Sequence, residues 1–94
     1  MATTWDDIMK AASDNRKKRH ANEVSIIVSA YNKFLDDLRE RVIQNNEVVA
    51  PSDVFSFTMD QNPLPETVDY FTERGFGFDK SKNIFSAYPS SARI

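Results

Sequence analysis

The chain has 94 residues, 40% of them apolar and 28% charged, with no cysteine, one histidine and a formal net charge of −2. A composition of this kind describes one small domain with room for a modest core. It excludes a disulfide framework and a thiolate metal site, and His20 alone cannot anchor a histidine-rich centre, so neither a metal ligand nor a cofactor is expected.

The first proline is Pro51 and the first glycine Gly75, which leaves fifty residues free of either helix breaker and predicts a helical half. Thr4-Trp5-Asp6-Asp7 opens it as a capping box, with two carboxylates at the positive end of the helix dipole. Trp5, Ile8, Met9 and Ala12 follow as a short apolar stripe at helical spacing. No secretion signal is readable, because Asp6 and Asp7 come before any hydrophobic run.

From Ser13 to His20 the sequence is wholly polar. The spacing there admits an exposed helical segment, a joint between two helices, or a stretch covered by another chain. Residues 1–20 carry five basic groups against three acidic ones, and four of the five are consecutive: Arg16, Lys17, Lys18 and Arg19, with His20 next. This cluster is a candidate site for an anion, a nucleotide or nucleic acid, or an acidic partner. A solvated helix face is the plainer reading of the same residues.

The most regular pattern comes next. Val24, Val28, Tyr31, Leu35, Leu38 and Val42 are spaced 4, 3, 4, 3 and 4, a heptad-type seam widened by Ile27, Ala30 and Phe34. A helix from Ala21 to Ile43 is ~35 Å long, more than the core of so short a chain needs. The seam is therefore a candidate homo-oligomer interface, the alternative being that it serves only the chain's own sheet. Asp37 and Arg41 have the i, i+4 spacing of an ion pair, and Gln44-Asn45-Asn46 suits a helix C-terminus.

After Pro51 the period changes to two. Val54 to Met59 alternates Phe with Ser or Thr and predicts a strand with its aromatics on one face. Asp60-Gln61-Asn62-Pro63 is a turn. Leu64-Pro65-Glu66 opens a short helix that ends at Arg74-Gly75, and Phe76–Phe78 and Asn83–Tyr88 flank a hairpin turn. The expected fold is α+β in the order α-α-β-α-β-β, a long N-terminal helix or helix pair packed on a small, mainly antiparallel three-stranded sheet. One domain is expected over 1–94: a polar helix over 1–20, a long amphipathic helix over 21–46, a β-α-β-β unit over 52–88, and a held tail over 89–94.

Arg74-Gly75-Phe76-Gly77-Phe78 matches the start of the RNA-recognition signature K/R-G-F/Y-G/A-F, in which strand aromatics stack on bases. The match then fails, since Asp79 and Ser81 stand where an apolar and an aromatic residue belong. No nucleophile, base and orienting carboxylate share a readable spacing, so no catalytic residue is expected. Trp5, Tyr70 and Tyr88 are amphipathic aromatics suited to an interface or to stacking on a base. The longest apolar runs, Ile26–Val28 and Val48–Ala50, fall far short of the ~20 residues of a membrane span, so no membrane partner is expected.

Ala11-Ala12 to Asn15, the Ile27–Ile43 helix, Phe55-Ser56-Phe57-Thr58, Leu64-Pro65-Glu66 with Tyr70-Phe71, Gly75-Phe76 and Ile84-Phe85-Ser86 together form a layout over about four-fifths of the chain. It resembles a group of small, mostly uncharacterised proteins of tailed bacteriophages. Two departures stand out: Glu47 to Ala50 replaces a pre-strand glycine, and a six-residue tail follows Tyr88. The resemblance implies a phage origin, in the virion or the host cytoplasm, and no established activity.

Three expectations follow. The first is a non-catalytic structural or assembly protein that self-associates and contacts other phage or host proteins. The second is a small sponge or inhibitor that holds an anionic host ligand such as a nucleotide signal, or blocks a host protein. The third is nucleic-acid binding through the basic cluster.

Overall fold

Thr4 begins the first element in a computed structural model that describes residues 3–94. Its hydroxyl accepts from the Asp7 N–H and its own N–H donates to the Asp7 carboxylate, each at 3.2 Å, completing the capping box. Helix α1 (Trp5–Gln44) then runs unbroken for 40 residues, ~60 Å at 1.5 Å per residue. It sets the 66 Å long axis of a molecule only 25 × 21 Å across. Of the two arrangements open from the sequence, the structure has the single helix, and Ser13–His20 is continuous helix rather than a joint.

The helix ends where its polar residues allow. Asn46 takes a left-handed φ of 56°, and the N–H groups of Asn45 and Glu47 both donate to the Arg41 carbonyl. The Arg41 side chain pairs with Asp53 at 3.1 Å rather than with Asp37, because the chain after the helix folds back and brings Asp53 within reach. A bond from the Ala50 N–H and the Arg41 guanidinium together hold the Asp53 carboxyl below its ordinary range.

Four short elements complete the fold: β1 (Phe55–Thr58), α2 (Pro65–Thr72), β2 (Gly77–Asp79) and β3 (Ile84–Ala87). The sheet order is β1-β3-β2 with both pairings antiparallel, an α+β fold. Phe57 and Phe78 sit opposite Phe85 from either side, and Phe55 lies opposite Ala87, so the aromatics share one face. Ser56, Thr58, Ser86 and Asp79 take the other, as the alternation in the sequence requires.

The aromatic face meets α1. Ile27 and Tyr31 from α1, Phe55, Phe71, Phe76, Phe85 and Ala87 form one buried cluster. Tyr31 meets the Phe55 ring edge to face at 5.2 Å, and Phe71 packs on both Phe76 and Phe85. Each buried aromatic contributes about 1.5–3 kcal/mol through loss of water contact. Burial also raises the Tyr31 hydroxyl above its ordinary pKa.

The tail after β3 closes over the end of α2. Gly75 adopts φ +87° there, and the Ser91 carbonyl approaches so closely that a Cβ on Gly75 would lie 2.2 Å from it. The Arg93 N–H donates to the Arg74 carbonyl at 2.8 Å, and Ala92 packs against the core. Residues 89–94 thus belong to the folded unit.

Candidate functional site

Two adjacent stretches of α1 carry the residues of interest. The first is the face Arg16, Arg19, His20 and Glu23, whose 3- and 4-residue spacing aligns it with Ile27 and Tyr31 on the side that packs on the rest of the chain. Arg16 grips Glu66 with two parallel bonds, at 2.5 and 2.6 Å. Arg19 donates to the Asn62 carbonyl at 2.5 Å and to Glu23 at 3.3 Å. The guanidinium of Arg16 draws the Glu66 carboxyl down to about 2, and Glu66 in turn raises Arg16.

Deeper in, Glu23 is 5% exposed and Thr67 is fully buried. The Glu23 carboxylate accepts from the Thr67 hydroxyl at 2.7 Å and from the Leu64 N–H at 3.1 Å. Thr67 has one hydroxyl proton, committed to Glu23, so the proton on the 3.0 Å contact between His20 Nδ1 and Thr67 Oγ1 is carried by the imidazole. Among the described residues no buried side-chain polar atom lacks a partner. Arg16, Arg19 and His20 therefore fasten α2 and the turn before it to α1. Thr67, sealed from solvent, has no access to a substrate.

The sequence placed these three with Lys17 and Lys18 as one cationic cluster. The helix separates them: Lys17 and Lys18 stay exposed, pointing away from α2, while the other three turn toward it. Glu23, Glu66 and Thr67, which complete the junction, were not among the site residues expected from the sequence. The available signal was Glu23 itself, an acid one turn before Ile27 on the face that turns apolar from there on.

The seam residues also lie on the inner face. Tyr31 and Leu38 are 2% and 7% exposed, and Val24, Val28 and Leu35 pack half-buried against the cluster, with Val42 half-buried further along. The chain's own sheet and loops thus cover most of that stripe. The candidate stacking residues do not converge. Tyr70 lies half-buried beside His20 with the Arg74 guanidinium 3.6 Å over its ring, Tyr88 is exposed after β3, and Trp5 is far out on α1. Phe76 and Phe78, the aromatics of the RNA-binding lookalike, pack inward instead.

The second stretch is the open one. Every residue of α1 from Trp5 to Arg19 is exposed. Trp5, Ile8 and Met9 are 70%, 48% and 48% exposed and, with Ala12, continue the same helix face that carries Arg16 and Glu23, beyond the end of α2. The segment is an arm with an uncovered apolar stripe. Depressions elsewhere are shallow, the more apolar of them a 360 Å³ hollow between Pro63, Pro65, Val68 and Phe78. Among the described residues no three His, Asp or Glu side chains converge as metal ligands, and no helix is long and apolar enough to cross a membrane. Compared with protein-family models, curated proteins and solved structures, the chain matches none.

Proposed function

We propose that the protein is a non-catalytic assembly subunit of the phage type, which works by protein contacts made through the helical arm. The observation that carries this reading is the arm: a helical stretch, Trp5–Asn15, with no residue buried and with Trp5, Ile8 and Met9 aligned on one side. Helix propensity alone is marginal over such a length in water, and tertiary packing of an apolar face is what normally stabilises it. A stripe of this kind is a surface for another chain. The nucleotide-holding and nucleic-acid readings rest on fewer groups, since Lys17 and Lys18 are the only cluster members not engaged with α2 or its preceding turn.

Sedimentation equilibrium between about 10 μM and 1 mM tests the proposal. The mass average should rise with concentration for the natural chain and stay at one chain for Ile8→Asp, which places a charge in the stripe. A single-chain mass throughout for the natural protein contradicts it.

A further inference from the structure

We infer that the occupant of the arm's apolar stripe is the same stripe of a second copy, paired antiparallel about a two-fold axis that passes between Ile8 and Met9. This rests on the assembly reading above and adds the partner and its geometry. The pairing follows from the sizes along the stripe. Antiparallel registration about that axis sets bulky Trp5 against small Ala12 of the second copy at both ends, and Ile8 against Met9 of the second copy in the middle. A parallel pairing stacks Trp5 on Trp5 and leaves Ala12 facing Ala12 across a gap.

Charge allows the same contact. The stripe is flanked by Ser13 and Asn15, with Asp6 at its rim beside Ser13, while Asp7, Lys10 and Asp14 lie on the other side of the helix, so closing two stripes together buries no charge at the centre of the contact. The charged side carries three acids against one lysine between Asp6 and Asp14, which repels an anionic membrane surface and argues against lipid as the occupant. The length fits as well. The stripe is free only until Arg16, where Glu66 on α2 takes over the face. The overhang from Trp5 to Asn15 is ~16 Å, and in this register Trp5 lies opposite the second copy's Ala12, one turn before the Arg16 that meets α2. Three turns of helix per chain fall below the ~800 Å² per partner of a stable interface. The contact therefore belongs with weak, reversible ones.

The chain has no cysteine, so single engineered cysteines read the geometry directly. In the antiparallel pair the two copies of position 9 lie side by side, whereas the two copies of position 12 are ~10 Å apart along the axis, beyond disulfide reach. Under mild oxidation at 0.5 mM, Met9→Cys should form a covalent dimer and Ala12→Cys should not, while mixing Trp5→Cys with Ala12→Cys should give the linked heterodimer. Circular dichroism of each variant checks that the helix is intact. Self-linking of Ala12→Cys as efficient as that of Met9→Cys overturns the antiparallel register. Failure of Met9→Cys to link, when sedimentation shows the natural chain to be dimeric, overturns this interface and leaves self-association standing. A monomer at 1 mM overturns both. A Trp5 emission shift produced by phosphatidylserine vesicles but not by concentrating the protein overturns the second copy as occupant.

Discussion

The Glu23 carboxylate lies 2.7 Å from the Thr67 hydroxyl and also accepts the Leu64 N–H, so a side chain of α1 caps the first turn of α2. Leu64, at the N-cap position of α2, has no side-chain oxygen with which to do so. The positive end of the short helix and its orphan N–H groups thereby receive a buried negative charge, and Arg19 balances that charge from the solvent side.

Removing that cap should be costly. Glu23→Ala leaves the Thr67 hydroxyl and the Leu64 N–H buried without an acceptor, at about 1–3 kcal/mol for each group. Urea unfolding should show a loss of about 3 kcal/mol. Glu23→Gln keeps one acceptor oxygen and should lose about half as much. Equal stability of Glu23→Ala and the natural chain would contradict the capping role.

Acid should loosen the junction through Glu66. Its carboxyl titrates near 2 in the folded chain against an ordinary 4.5, held down by Arg16. The unfolded state therefore binds its proton first as pH falls. The stability that Glu66 contributes is complete above about pH 4.5 and is lost between 4.5 and 2. Both side chains of the pair are partly solvent-exposed, so added salt should weaken the effect. The natural chain should lose more Tm between pH 6 and pH 3 than Glu66→Gln does. Identical losses in the two proteins would count against the pair.

Gly75 links α2 to the tail. An alanine there must hold a left-handed φ, at about 1 kcal/mol, and must also push away the Ser91 carbonyl. Gly75→Ala should cost about 2 kcal/mol or more and speed amide exchange at Arg93, whose N–H bond to Arg74 depends on the tail's position. In a chain shortened after Ser90 the same substitution should cost only the backbone part. The same cost in both lengths would show that the tail contact is immaterial.

Most of the fold was legible because local rules and tertiary packing agree. Thr4 and Asp7 form the cap their spacing foretold, Phe55 and Phe57 share a face as period two demands, and Gly75 takes the left-handed position that ends α2. What the sequence left open depends on contacts between distant segments. Whether Ser13–His20 bends could not be read from residues that are polar all round. The destinations of Arg16 and Arg41 were hidden too, because Glu66 and Asp53 reach them only after the chain has turned back. The basic cluster read as one site because four cations are adjacent in sequence; helical rotation sends Arg16 and Arg19 one way and Lys17 and Lys18 another.

The central claim is that the arm of α1 is the surface through which this chain meets its neighbour, and amide exchange at two concentrations tests it most directly. Between 10 μM and 1 mM, protection should rise for residues 8–18 and stay constant for residues 24–42, whose inner face the chain itself covers. Exchange in the arm that is the same at both concentrations, or protection that rises along 24–42 instead, would contradict it.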